Sequence, residues 1–490
     1  LIDMYAKCGS LARAKQVFDE IPCKNVVLWT TIITGYVENA RGEEALQFLD
    51  KMHFDGYSAN FVTLISSLKA CTVVGSIQKG QEVHGEIEKK GFHVKEIAIG
   101  NALVAMYAKL GFLCEAQCQF DHLLVRNVVS WTTIISGYVE HNYGKEALEC
   151  FEHMQLEGVS PNSVTYLFVL KACGSVENVK KGEELHLDIA GIGLFGKNLF
   201  IGSALLNMYF KFGLLEKAQD VFDELQDRNV VVWNSLIGGY VDLGHQWRAL
   251  KYFEQMQLEG VSPNVTTYVC SLKACITISA IDIGCKIHLE IERLGLIEKD
   301  LLVGNALVGM YAKHGLLALA QQIFDKLPSP NVVSWNELIL GYAEHGDQEK
   351  ALQCFRHMQA KGVSPNASTF VSALKASGSI QAIEVGRQHH ADIEKRGFLE
   401  GNLIIGNALL GMYTKCGLLE ESQNQFNRLR DRDVFTWTTL ISGYVENRHA
   451  EEALSCQQHM KDNRISPDIT SFVCLLKACS IVRSINKGHE

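Results

Sequence analysis

Trp29, Trp131, Trp233, Trp335 and Trp437 stand 102 residues apart, so this 490-residue chain writes one long unit almost five times without an insertion or a deletion. A period this strict requires an array in which each unit covers the apolar face of the next, and a unit of this length must itself be composite. In NVVSWTTIISGYVEH, Ile134, Ile135, Tyr138 and Val139 keep to one helical face. GKEALECFEHMQLEG follows, with Ala147, Leu148, Phe151 and Met154 on one face of a second helix. The second helix is expected to end at Gly158 in the left-handed conformation, and Pro161 bars its continuation; Gly56, Gly260 and Gly362 repeat that stop. Two further helix pairs, opening SVTYLFVLKACGS and LFIGSALLNMYFKFG, complete the unit.

Phasing on the Asn or Asp that precedes each first helix gives hairpins of 35, 36 and 31 residues, which together fill the 102. The expected organisation is a partial hairpin at 1–25, triplets at 26–127, 128–229, 230–331 and 332–433, and a 35-residue hairpin plus part of a 36-residue one at 434–490. The fold class is all-α, one continuous solenoid of stacked hairpins, read as a fragment lacking both ends. Only 7 prolines and no linker-like stretch argue against separate globular domains. No apolar run approaches the roughly 18 residues of a membrane helix. The formal charge of -9 argues against a broad basic surface that grips nucleic acid by charge alone, while leaving room for a local basic stripe.

The 15 cysteines form no framework once phased. Cys71, Cys173, Cys275 and Cys479 share one repeat position, and equivalents three hairpins apart, each hairpin two helix layers of about 8–10 Å, are beyond the reach of a disulfide. The same separation excludes a shared metal site at His84, His186, His288 and His390, which are expected to pack the repeat. Cys114 and Cys118 share a helix face without a matching pair at zinc spacing, so buried or half-buried thiols are expected. The chain holds no Gly-rich phosphate loop after a strand, no nucleophile elbow and no His-x-Glu followed by Pro-Cys-x-x-Cys, and is expected to be non-catalytic. Carboxylate pairs such as Glu43 with Glu44 and Glu451 with Glu452 fall where a helix dipole favours them.

Function must then lie in positions that stay polar where packing prefers otherwise. The fifth residue of the 35-residue hairpins is Thr30, Thr132, Asn234, Asn336 or Thr438, and of the 31-residue hairpins Asn101, Ser203, Asn305 or Asn407. In the 36-residue hairpins it is Ile65, Leu167, Val269, Val371 or Val473. The closing residue is Asn60, Asn162, Asn264, Asn366 or Asp468 in the first class and Asn25, Asn127, Asn229, Asn331 or Asp433 in the second. Helix capping accounts for the closing residue, but not for Thr, Asn or Ser inside a first helix.

These texts, NALVAMYAKLG, VVSWTTIISGYVEH and VSPNSVTYLFVLKACG, with their alternating lengths, resemble the S, P and L motifs of plant pentatricopeptide repeat proteins of the PLS subclass. The resemblance covers the whole chain. It implies a right-handed superhelix that binds single-stranded RNA, one nucleotide per motif, read by the fifth and last residues, and most often a role in specifying cytidines for C-to-U editing in mitochondria or chloroplasts. It implies no cofactor. An acceptor-only Asp suits the ring N–H of uracil or guanine, and Asn supplies the donor that adenine and cytosine need. In the family pattern Thr or Ser at the fifth place favours purines and Asn pyrimidines.

Carried over, Thr30 with Asn60, Thr132 with Asn162, and Ser203 with Asn229 would read A. Asn101 with Asn127, Asn234 with Asn264, Asn305 with Asn331, and Asn336 with Asn366 would read C or U. Asn407 with Asp433 would read U and Thr438 with Asp468 G, giving 5′-AnYAnAYnYYnUG-3′. The second residue is expected to wedge between bases: Val27, Val129, Val231, Val333 and Phe435 in P motifs, Ala98, Phe200, Leu302 and Ile404 in S motifs. As apolar side chains these fit a core equally well. Lys109, Lys211, Lys313 and Lys415 are candidates for phosphate contact, whereas Glu38, Glu140, Asp242, Glu344 and Glu446 at the matching P position would repel it. Lys69, Lys171, Lys273, Lys375 and Lys477 form a second row, expected to be mainly a solvated stripe. The rival reading is a protein-binding helical scaffold. A C-terminal cytidine-deaminase-like domain outside this chain, or a deaminase-domain protein or other editing factor recruited in trans, is the expected source of chemistry.

Overall fold

The computed structural model describes residues 1–91, 96–196, 198–399 and 401–488, with side chains as far as residue 482. The described residues form helices joined by short turns, with no strand among them. Two units emerge, Leu1–Leu243 and Gly244–Glu490, each a stack of helical hairpins. In the first unit the 35-residue hairpin pairs Val26–Glu38 with Gly42–Phe54, the 36-residue hairpin Phe61–Val74 with Ile77–Lys90, and the 31-residue hairpin Ile97–Lys109 with Leu113–Asp121. The second unit builds the same sequence of elements, for example Val332–Glu344 with Gln348–Ala360, Ala367–Ser379 with Ile383–Lys395, and Leu403–Lys415 with Leu419–Arg428. Within each unit successive first helices pack against one another, and second helices of the 35-residue hairpins pack on the first helix that follows. Each unit thereby carries a face of first helices.

Local chemistry explains where these helices stop. Gly56, Gly158, Gly260 and Gly362 take φ between 73° and 81°, the left-handed turn expected of them, and Arg464 is held at φ 58° where the fifth copy lacks the glycine. Glu43 with Glu44 and Glu451 with Glu452 lie in the first turns of their helices. The 31-residue hairpin is short because its second helix runs only 9 residues in Leu113–Asp121. Its closing turn is tied by Arg126, whose Nε donates to the Phe120 carbonyl while its guanidinium lies 4.9 Å from the Phe120 ring centre. Arg228 and Arg432 repeat the tie.

The repeated tryptophan is the centre of the core. Each of the five meets the phenylalanine of the preceding hairpin edge-on, with ring centres 4.6–4.8 Å apart, from Phe18 with Trp29 to Phe426 with Trp437. First helices approach closely where a glycine allows it: a Cβ on Gly137 would lie 2.6 Å from that of Ala108. His84, His186, His288 and His390 each place Nδ1 2.7–2.9 Å from a tyrosine Oη, respectively Tyr107, Tyr209, Tyr311 and Tyr413. They are packing groups of the repeat. Cys71, Cys173 and Cys275 are buried free thiols, and burial pushes Cys173 up to about 12. Cys114, Cys118 and Cys479 depart from the expected burial and are exposed.

Candidate nucleic-acid interface

Every closing residue of the 35- and 31-residue hairpins is the N-cap of the next first helix. One side-chain oxygen accepts from a backbone N–H of the first turn at 2.7–3.1 Å, in Asn25, Asn60, Asn127, Asn162, Asn229, Asn264, Asn331, Asn366, Asp433 and Asp468. Capping alone suffices for the polarity of this position, since Asn198, Asp300 and Asn402 cap in the same way although the fifth residue of their hairpins is apolar. What the cap adds is orientation. With Oδ1 held by the helix, an asparagine turns its amino group outward and an aspartate its second oxygen, so exchanging the two keeps the cap and reverses the hydrogen-bonding sense of the exposed end. Both aspartates are held as anions. Burial opposes ionisation of Asp433, but the Thr436 hydroxyl and N–H and the Asn407 side chain outweigh it, and hydrogen bonds from Ser471 lower Asp468.

The fifth residues of the two hairpin classes stand in different relations to these caps. In three of the 35-residue hairpins a buried hydroxyl from the next hairpin stands between them. Thr30 Oγ1 is 2.7 Å from Thr63 Oγ1, which donates to Asn60 Oδ1 at 3.0 Å. Thr132, Thr165 and Asn162 repeat this at 2.7 and 3.0 Å, and Thr438, Ser471 and Asp468 form the same chain. Asn336 donates directly to Asn366 Oδ1 at 3.1 Å and accepts from Thr369 Oγ1 at 2.6 Å. Thr267 keeps its 3.0 Å contact to Asn264, and Asn234 lies half-buried in the helix Val230–Asp242. The linking residue is one that sequence reasoning missed. Its signal is the third place of the 36-residue hairpins, always Thr or Ser (Thr63, Thr165, Thr267, Thr369, Ser471), against Ile99, Ile201, Val303 and Ile405 in the 31-residue ones.

In the 31-residue hairpins one copy shows the fifth residue in contact with its cap. Asn101, Asn305 and Asn407 bury Oδ1 with no hydrogen-bond partner among the described residues, and Asn407 interacts through its side chain with Asp433. Ser203 donates to the Leu199 carbonyl at 2.9 Å, as Thr30 and Thr438 do to Val26 and Val434. Back-bonding of this kind gives those hydroxyls a local explanation inside a helix. It gives none for the asparagines.

The second residues are not core. Val27, Val129, Phe200, Val231, Leu302, Val333, Ile404 and Phe435 are all exposed, Ile404 at 71% and Phe435 at 63%, and Ala98 is exposed as well. One groove of about 530 Å³ in the second unit gathers the whole set: Ile404 and Phe435 line it with Asn407, Asp433, Lys415 and Lys375. Lys415 also contacts Ser379 Oγ at 3.5 Å. The lysines of this position differ among copies. Lys109 and Lys211 are exposed, whereas Lys313 is bound to Glu344 at 2.9 Å, a pairing that holds the Glu344 carboxyl below its usual range. The acid at the matching P position therefore neutralises its lysine neighbour in that copy. Lys375, from the row expected to be solvated, lies in the groove.

A PPR repeat family model matches residues 126–175, 228–277, 330–377 and 432–480, and a PPR repeat model matches 1–26, 27–57, 203–230 and 305–331. The pentatricopeptide repeat-containing protein At2g33680 of Arabidopsis thaliana is 35% identical across 100% of this chain and 67% of its own length. This chain belongs to the pentatricopeptide repeat family. A second Arabidopsis thaliana relative named as chloroplastic, At4g18520, is 31% identical over 98% of the chain and 77% of its own length. A third named as mitochondrial, At3g09040, is 32% identical over the full chain. The chain spans only 47% of that mitochondrial protein and 57% of At4g39530. Among solved structures, the pentatricopeptide repeat protein PPR10 in complex with an 18-nt psaJ RNA element superposes over 97% of this chain and 80% of its own with a TM-score of 0.69, at 17% identity. A further crystal structure, of PPR10 from maize, gives a TM-score of 0.59 over 100% of this chain and 78% of its own, at 19% identity. At these identities the likeness speaks for the fold.

Proposed function

We propose that this pentatricopeptide repeat chain binds single-stranded RNA in a sequence-specific manner, as the site-recognition part of a PLS-type C-to-U editing factor of mitochondria or chloroplasts. The groove at Asn407 and Asp433 carries the reading. Two exposed apolar side chains, Ile404 and Phe435, flank a capped Asp and a half-satisfied Asn, with lysines alongside. Stacking faces, a polar edge reader and cations are what one splayed nucleotide requires. Each P and S motif takes one nucleotide through its fifth and closing residues, with the second residue as wedge, and the target is 5′-AnYAnAYnYYnUG-3′. The hairpin triplets at 26–127, 128–229, 230–331 and 332–433 are its P-L-S units. Deamination itself falls to a deaminase-like domain or partner, and no cofactor is assigned to this chain.

The orientation imposed by capping makes a direct test. Replacing Thr132 with Asn and Asn162 with Asp keeps the cap and reverses what the exposed end offers. Binding to RNA carrying the target, measured at fixed salt against a scrambled sequence, should move its preference at the fourth nucleotide from A to U by about 1–3 kcal/mol, the size of a good base contact. Unchanged preference with intact helicity would sink the assignment of these residues. Equal binding of matched and scrambled RNA would favour a protein scaffold instead.

A further inference from the structure

One groove position departs from its equivalents. The sixth residue of the 35-residue hairpins is Thr31, Thr133, Ser235 and Thr439 in four copies and Glu337 in the remaining one. Thr439 lines the groove beside Asn407 and Gly411. In the preceding triplet the corresponding places are Glu337, Asn305 and Gly309. A Cβ on Gly309 would meet Glu337 Oε2 at 2.7 Å and Cδ at 3.1 Å, so the carboxyl lies directly on the backbone of the helix Leu301–Lys313. Ala105 and Asn207 occupy the place of Gly309 in the first two triplets. Glu337 is half-buried, and burial alone raises its carboxyl above the usual range. Lys313, four residues beyond Gly309 on that helix, is paired with Glu344.

Helix geometry says which part of a nucleotide meets this carboxyl. Gly309 lies four residues beyond Asn305 and four before Lys313, so the three share one face at successive turns, about 6 Å apart along the axis. A nucleotide whose base edge is at Asn305 and whose phosphate lies toward the lysine row has its ribose at the level of Gly309. The hydrogen-bond donor a ribose offers is its 2′-hydroxyl, and a carboxyl oxygen accepts it whether or not the acid is ionised. We propose that Glu337 accepts a hydrogen bond from the 2′-hydroxyl of the nucleotide held by Asn305 and Asn331, and so makes this one position of the groove selective for ribose over deoxyribose. The inference rests on the base-reading assignment above.

The test is a cycle on the full chain with the 13-nucleotide target. A single 2′-deoxy substitution is placed at the ninth nucleotide, read by Asn305 and Asn331, or, as control, at the twelfth, where Thr439 takes the place of Glu337. In the wild type the ninth-position change should weaken binding about tenfold, the worth of a hydrogen bond to a charged group, and more than the twelfth-position change does. In Glu337→Thr, which restores the residue of the sister copies, the ninth-position penalty should fall to that of the control. An equal penalty in wild type and variant overturns the proposal while base selectivity elsewhere stands. So does tighter binding of all-ribose RNA by Glu337→Thr, which would show the carboxyl only repelling phosphate. No preference of the wild type for matched over scrambled RNA overturns the base-reading assignment itself, and this proposal with it.

Discussion

The junction that follows a 35-residue hairpin and the one that follows a 31-residue hairpin put the same kinds of side chain in the same places and treat them differently. At the first, Thr132 is linked to Asn162 through the Thr165 hydroxyl, and both hydroxyls and Asn162 Oδ1 have partners. At the second, Asn305 and Asn407 bury an oxygen that no group among the described residues satisfies. A buried acceptor without a partner costs about 1–3 kcal/mol. The wired junction is explicable as construction of the fold alone, since capping and a hydroxyl contact between successive hairpins account for its bonds. The unsatisfied one is not, and it makes the stronger case that a ligand is meant to complete the site.

The sharpest way to break this contrast is to replace Asn101, Asn305 and Asn407 together with leucine. If their oxygens are a folding cost, the triple variant should unfold at higher temperature than the wild type, gaining about 1–3 kcal/mol per site, and should lose base selectivity at the third, ninth and twelfth nucleotides. Thermal unfolding followed by circular dichroism, with RNA binding in parallel, reads both. A lower melting temperature would mean that these amides are satisfied in a way the fold does not reveal, and the contrast would collapse.

His389 supplies a control from the other side. It lies buried against Phe355, with ring centres 4.6 Å apart, in a place held by Val83, Leu185 and Ile287 in the other copies, and its Nε2 has no partner among the described residues. Its neighbour His390 is bonded to Tyr413 at 2.7 Å. Burial lowers His389 from 6.5 to about 4, with Asp392 opposing and Arg356 reinforcing the shift. The unfolded chain therefore binds the proton first as pH falls. The neutral side chain contributes its full stability above pH 6.5 and loses it progressively down to about 4, by up to roughly 3 kcal/mol. His389→Leu should remove that acid sensitivity from urea-unfolding midpoints and leave RNA binding unchanged. A variant that also loses RNA selectivity would show that an orphaned polar atom anywhere weakens binding, and would blunt the argument from Asn305 and Asn407.

Much of this was legible in the sequence for a simple reason: periodicity and stop signals are local. Trp131, the helices on either side of it and the turn at Gly158 follow from residue spacing and one backbone conformation. Three features needed the stack. Val27 or Ile404 is an apolar residue on an amphipathic helix, and only the placement of neighbouring first helices decides that it faces solvent. Thr165 reads as an ordinary first-turn residue, because the side chain it links to, Thr132, is 33 residues away. Lys313 and Glu344 read in the sequence as separate signals, one attracting and one repelling phosphate, whereas they lie on neighbouring first helices and pair.

The finest discrimination between the junctions comes from removing a hydroxyl from each. Thr165→Val keeps the shape of the side chain and the backbone N–H that Asn162 caps, but deletes the link at 2.7 Å to Thr132 and at 3.0 Å to Asn162. It should cost about 1 kcal/mol of stability and weaken the preference for A at the fourth nucleotide a few-fold without reversing it, since both readers remain. Ser334→Ala removes a hydroxyl bonded to Asn331 at 3.2 Å, at a junction where no such link to Asn305 exists. It should cost a similar amount of stability and leave the preference at the ninth nucleotide where it was. Competition binding with single-base RNA variants separates the two cases. Equal loss of selectivity at both would mean that capping rigidity, and not the hydroxyl link, sets how well a fifth residue reads.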